Sequence, residues 1–313
     1  MRSLDLLSPL GVTLALLPEV LLSAWIMVVL LVIAWRHERV EDSYLAGWLS
    51  LAGVGVSGIG VAVLWLGGAA PAGVPHMVAL DGFRYGADAV ILLVAAATIL
   101  LSLRYVDRQR LIAPEYYLLI LLATDGMLFL AGAEDMIVLF LGLELMSVAV
   151  YVLAGFDRFR RSSAEAALKY FLIGAFASAF LLYGIALVYG ATGETNLIRI
   201  GERLASAPLS LLASLGLGLL LIGFGFKVAA VPFHMWAPDV YDGAPTPIAG
   251  FMATGVKTAA FAALVRVLLE AFPTASALWQ PIIAGLALAT IILGNTVAPI
   301  GRIPFLRLDC LRP

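Results

Sequence analysis

The sequence contains one cysteine and three histidines in 313 residues. Cys310, in a polar tail, can close no internal disulfide and join no multi-cysteine metal site, so iron–sulfur and structural zinc readings fall away. Charge is scarce as well: Asp, Glu, Lys and Arg make up 13% of the chain, against about 25% in an ordinary soluble domain. The formal net charge is -2, with no concentrated basic face; phosphate binding needs such a face, so a nucleic-acid partner is excluded. A P-loop, a dinucleotide fingerprint after a strand, and histidine pairs spaced for haem or zinc are also missing. On these grounds no redox centre is expected in the chain itself.

What the sequence has in abundance is apolar length, since 62% of its residues are hydrophobic. A membrane-crossing helix needs about 20 such residues. Nine segments qualify: roughly 14 to 35, 44 to 66, 84 to 104, 115 to 132, 135 to 155, 165 to 190, 209 to 231, 246 to 269 and 278 to 298. Helices satisfy their own backbone hydrogen bonds in lipid, and these runs lack the alternation of a membrane barrel. The expected fold is therefore an all-α polytopic membrane protein with about nine transmembrane helices. The first span lacks a strong positive flank and a cleavage site, and reads as a retained span rather than a signal peptide. Residues 67 to 83 and 191 to 208 are the longest connections. Arginines gather in the odd-numbered loops, as Arg36 and Arg39, then Arg104, Arg108 and Arg110, then Arg158, Arg160 and Arg161, and again after span nine as Arg302, Arg307 and Arg312. Cationic loops stay in the cytoplasm, which puts the N-terminus outside. Arg84, Arg199 and Arg203 fall on the other side.

The 19 basic residues are sixteen arginines and three lysines, and Lys169, Lys227 and Lys257 all lie within spans. A charge inside a bilayer calls for a partner or a water-filled cavity and marks a transport path by default. A desolvated lysine, unlike an arginine, can release its proton. Glu144, in VLFLGLELMSVAVY, is the natural partner for one of them, and the two would titrate as a unit; the bland alternative is an ion pair that only fixes packing. Lys227 lies in GFGFKVAAVPFHMWAPDVYDGAPTP. Pro232 and Pro238 free the carbonyls of Val228 and His234, so the helix should break one turn past the lysine. Broken helices at membrane depth line cavities or are buried in protein. His234 suits a proton relay or a satisfied structural role. Lys257 lies mid-span with Thr254 and Thr258 as polar company. Lys169 is near the cytoplasmic end of its span, where its stem could also snorkel to the interface. Asp125 and Asp88 are further carboxylates in spans, open to pairing, protonation or a cavity. Glu19 reads as a helix-start residue, and Glu134 with Asp135 as a tight turn. No role falls to His37 or His76.

GLELMSVAVYVLAGF, FKVAAVPFHMWAPDVYDGAPTP and FMATGVKTAAF resemble the antiporter-like membrane subunits of respiratory complex I, with HMWAPDVYDGAP similar to the N type. The resemblance covers roughly residues 10 to 298. It implies a first antiporter-like five-helix repeat, spans four to eight, with a broken seventh helix. The implied organisation is 1–110 as three N-terminal helices, 111–272 as the proton-channel repeat, and 273–313 as a ninth span with an atypical charged tail. It implies that Glu144 pairs with Lys227 on the broken helix, that Lys257 is the connecting lysine, and that His234 and Lys169 match the histidine of the PFH motif and the lysine of the sixth helix. Asp125 departs from the family pattern and receives no role from it.

By that resemblance the chain is a proton-translocating subunit whose own cofactors are none, with NADH, FMN, iron–sulfur clusters and quinone in partner subunits. Its partners are other membrane subunits of complex I and the lipid bilayer of a bacterial inner membrane. The family has about 14 spans in two inverted repeats, so a second repeat is expected and missing, and a truncated or frame-shifted product is the expectation for residues after Asn295. The alternatives are a cation/proton antiporter subunit working without NADH oxidation, and a non-transporting fragment.

Overall fold

The computed structural model describes residues 3–4, 9–36, 40–68, 70–71, 77–109, 111, 114–206 and 208–297. His37, Arg39, His76, Arg110 and the tail with Cys310, Arg302, Arg307 and Arg312 lie outside the described residues. Helices α1 (Pro9–Ala15), α2 (Leu17–Arg36), α3 (Val40–Leu66), α4 (Gly82–Arg108), α5 (Glu115–Gly132), α6 (Met136–Ala154) and α7 (Arg161–Thr192) follow in order. They are succeeded by α8 (Leu197–Ala205), α9 (Leu211–Val228), α10 (Ala237–Gly243), α11 (Thr246–Phe251), α12 (Lys257–Arg266) and α13 (Ser276–Val297). A two-residue parallel pairing, Ser3–Leu4 with Ala70–Pro71, is a minor exception to the helical pattern.

Among the described residues nine helices are long and apolar enough to cross a membrane, and they coincide within a few residues with the nine expected spans. The eighth runs Thr246–Ala271 through α11 and α12, with π-helical turns at Met252–Val256 and Val267–Ala271.

Helix starts follow from local chemistry. Asp81, Asp135, Asn196 and Ser210 each accept a backbone N–H of the first turn of α4, α6, α8 and α9, which satisfies donors that a helix N-terminus leaves orphaned. The stretch 191 to 208, read from sequence only as a connection, contains α8, whose Leu197, Ile200 and Leu204 are buried while Arg199, Glu202 and Arg203 face out.

Lipid gives helices no hydrophobic reason to associate, so close packing decides their contacts. In the α5–α6 pair a Cβ on Gly142 would lie 2.7 Å from the Leu130 nitrogen, and one on Gly126 would lie 2.9 Å from the Met146 Cα. α7 and α9 cross in the same way, with a Cβ on Gly184 falling 2.9 Å from the Leu220 nitrogen. α2, α3 and α4 pack in sequence and lean on α5, which is the most enclosed of the spans. The hydrophobic core runs through this centre, and α13 lies at the periphery with no buried span residue.

Candidate functional site

Lys227 is the last residue but one of α9 and is buried, 2% exposed. Its Nζ donates to Ser147 Oγ at 2.7 Å and to Tyr151 Oη at 3.3 Å, both on α6. The ammonium also lies 5.3 Å from the Tyr151 ring centroid and 5.6 Å from that of Phe226, within cation–π range. The carboxylate that acts on it electrostatically is Glu144. Glu144, Ser147 and Tyr151 stand at i, i+3 and i+7 of α6, one face of a helix. The expected direct Glu144–Lys227 contact is not formed: among the described residues the lysine has no carboxylate oxygen within 4.0 Å. Its ammonium sits one to two turns further along α6, on hydroxyls. Glu144 Oε1 is buried without a hydrogen-bond partner.

The helix break comes earlier than the prolines alone suggest. α9 stops at Val228, and Ala229 turns left-handed at φ 57°. Ala230 N donates to Gly225 O at 2.9 Å and Ala229 N to Phe226 O at 3.1 Å, which is the bonding of a Schellman cap. The freed Phe226 carbonyl also accepts Trp236 Nε1 at 3.1 Å. Pro232, preceded by a cis peptide, then interrupts the chain, and Pro238 takes a first-turn position of α10, where its missing N–H is tolerated. Trp236 stacks on Tyr170 at 4.5 Å and tilts against Phe226 at 5.2 Å, which pins the broken segment beneath the lysine.

Lys257 opens α12 immediately after the Met252–Val256 π-turn, a local insertion often found at functional sites. It lines an open groove of about 880 Å³ between α4 and the eighth span, with Phe83, Val90 and Phe261 among its walls. Its Nζ lies 5.8 Å from the Tyr241 ring, and Tyr241 in turn contacts Trp236 at 5.9 Å. Lys227 and Lys257 are therefore the two ends of one aromatic cluster, Phe226, Trp236 and Tyr241. The Thr254 and Thr258 hydroxyls, expected as company for Lys257, are bonded back to Gly250 O and Thr254 O of their own helix.

A family model described as NADH:quinone oxidoreductase/Mrp antiporter, TM matches residues 133–300, just over half of the sequence. The chain belongs to this family. NADH-quinone oxidoreductase subunit N 2 of Roseiflexus castenholzii is 48% identical over 271 residues, 85% of this chain and 54% of that protein. NADH-quinone oxidoreductase subunit N of Gemmatimonas aurantiaca is 47% identical over 304 residues, 94% of this chain and 58% of that protein. The chain thus spans little more than half the length of these relatives. Among solved structures, respiratory complex I from Thermus thermophilus with bound aureothin contains a chain 37% identical with a TM-score of 0.72, matched over 90% of this chain and 58% of that one. The Mrp complex from Dietzia sp. contains one at 21% identity and TM-score 0.74, over 90% of this chain and 53% of that one, a likeness of fold.

The family segment holds all five sequence-selected residues, but the structure does not gather them in one place. His234 lies in the turn between α9 and α10, half-buried, with Nδ1 lacking a hydrogen-bond partner. Lys169 is at the surface, with Nζ 2.6 Å from Asp239 and 2.9 Å from Glu165; it ties α7 to α10. Ser147 and Tyr151, the groups that hold Lys227, were not singled out from the sequence, although their helical spacing from Glu144 was a usable signal. Tyr241 carried no such signal, because its place under Lys257 depends on the broken segment's path.

Asp125, left open from sequence, accepts Ser23 Oγ of α2 at 2.6 Å. Glu19, which reads as a helix-start residue, and Arg84, at the start of the third span, form a fully buried ion pair at 2.6 Å that also includes Asp88 at 3.4 Å from the guanidinium.

Proposed function

We propose that the chain is a proton-translocating membrane subunit of an NADH-quinone oxidoreductase, carrying protons through Glu144, Lys227, His234 and Lys257. The observation that carries this reading is a buried ammonium at a broken helix end, held by hydroxyls rather than by a carboxylate. Such a lysine is loosely enough held to exchange its proton. Glu144, a turn or two away with an unpartnered oxygen, supplies a charge that can approach or recede without breaking a direct pair. Drawing Glu144 toward Lys227 favours the ammonium, and withdrawing it releases a proton toward the half-buried His234 and the groove at Lys257. Lys169 acts at the inner end by holding α10 to α7.

The names of the relatives support the same assignment. Cofactors, namely NADH, FMN, iron–sulfur clusters and quinone, belong in this reading to partner subunits, with quinone reduction elsewhere driving the Glu144/Lys227 step. The other membrane subunits of complex I are the partners, the bacterial inner membrane is the location, and the N-terminus faces outward. Residues 1–110, 111–272 and 273–313 are the three parts of the chain in this scheme.

The test is proton uptake coupled to NADH oxidation in native membranes carrying Lys227→Ala or Glu144→Ala in the full chain. Loss of pumping with intact membrane insertion is expected, and an unchanged proton-to-electron ratio would overturn the proposal. A second reading, cation/proton exchange without NADH, is favoured by the family description that joins both groups; sodium-dependent proton flux in membranes free of NADH dehydrogenase would select it.

A further inference from the structure

Away from Lys227, charge is concentrated between α2 and α4, where Glu19, Arg84 and Asp88 are all 0% exposed. Arg84 donates through Nη2 to Glu19 Oε1 at 2.6 Å, and through Nη1 to Ala15 O at 3.1 Å and Ala79 O at 2.8 Å. Its Nε lies 3.4 Å from Asp88 Oδ2. That approach completes no hydrogen bond: Nε, both Asp88 oxygens and Glu19 Oε2 are buried without a hydrogen-bond partner. Two carboxylates therefore face one guanidinium, and with both ionised the site would hold an uncompensated negative charge sealed from solvent.

The neighbouring cation cannot correct the count. Arg266 is already held by Asp81 at 3.0 and 3.1 Å and by Glu270 at 2.6 Å. A metal ion lacks ligands, since no three His, Cys, Asp or Glu side chains among the described residues come together to hold one. A proton requires a single oxygen and converts an acceptor into a donor, which is what the unpartnered oxygens of Glu19 and Asp88 can use.

We infer that Glu19 and Asp88 hold one exchangeable proton against Arg84, forming a second proton site in the N-terminal helices. This site does not depend on the Lys227 path. It lies near the N-cap of α4, where Asp81 is 44% exposed and its Oδ1 accepts the Arg84 amide at 2.7 Å, so that end of the bundle is the nearer side from which the proton would exchange. Toward α5, Ser23 stands one turn from Glu19 on α2 and donates to Asp125 Oδ2 at 2.6 Å, while Asp125 Oδ1 is buried and unpartnered. The charges acting on Asp88 are those of Arg84, Glu19, Asp81 and Arg266; Tyr85 feels Arg84, Asp81, Asp88 and Glu19, Glu270 is held by Arg266, and Asp125 feels Glu19.

The test is pH-difference infrared spectroscopy of the full chain in lipid, read at the protonated-carboxyl band and repeated in deuterated water. The wild type should show a deuterium-sensitive band that both Asp88→Asn and Glu19→Gln abolish and Glu144→Gln retains. Asp88→Asn should also melt no lower than the wild type, because a neutral amide stands in for the protonated carboxyl. A band that survives both substitutions, or a band that sodium displaces at constant pH, would overturn the inference. So would strong destabilisation of Asp88→Asn at every pH, which is the behaviour of a fully ionised structural triad.

Discussion

At the scale of single residues, what matters is how a cation is satisfied where water is excluded. Lys227 has three N–H donors and spends two on Ser147 and Tyr151. A hydrogen bond to a charged group is worth about 1.5–3 kcal/mol. Ser147→Ala should therefore destabilise the chain by about that amount, and the cost should largely vanish in a Lys227→Met background, where no ammonium remains to be satisfied. Thermal melting of the four variants in one detergent reads the coupling, and equal costs in both backgrounds would remove Ser147 from the site. Lys227, Lys257 and Glu144 stand out in the sequence because a titratable group in an apolar run calls for a partner or a cavity. Arg84 was not, since a cation at a span end looks the same whether it snorkels to water or turns inward to Glu19.

At the scale of elements, two local devices shape the site. Ala229 adopts the left-handed conformation that costs a non-glycine residue roughly 1–2 kcal/mol, and the Phe226 carbonyl and Trp236 indole hold it there. Ala229→Gly should raise the melting free energy by about 1 kcal/mol with no change in helix content by circular dichroism; a loss of stability would mean that the alanine methyl group packs usefully. The second device is the α5–α6 crossing, where Gly126 meets the backbone of α6. Gly126→Ala should cost about 1–3 kcal/mol by overpacking, and, because α6 carries Glu144 and Ser147, it should also lower the proton transport proposed above. The prolines mark the break in sequence, but its onset at Ala229 is set by a cap on Gly225 and Phe226 that the Trp236 indole, ten residues beyond Phe226, reinforces.

At the scale of the molecule, one end of the bundle is a polar layer. Val78 pairs with Ala133 and Asp135 with Asn196, and Asp81 joins the start of α4 to Arg266 of α12. Burial alone would raise the Asp81 carboxyl, but the bonds from Arg266 and from the Arg84 amide outweigh it and hold Asp81 below its ordinary value of 3.8. A carboxyl lowered by folding stabilises the folded state at pH above its unfolded value, and that contribution is lost as pH falls through the folded one. Acidification below about pH 4 should thus weaken this layer, and Asp81→Asn should melt with a flatter dependence on pH in that range; parallel profiles would count against the link.

Among the described residues, the nine apolar spans, their helical nature and the burial of Lys227 followed from sequence alone. Apolar length and the cost of an unsatisfied backbone in lipid leave a chain few other choices. The tertiary structure alone decided that Lys227 rests on Ser147 and Tyr151 rather than on Glu144, that Lys257 shares an aromatic cluster with it, and that Glu19, Arg84 and Asp88 close on one another. Those outcomes depend on which helix faces meet and how nearly their backbones approach, and the glycines at the crossings permit that approach without naming the partner.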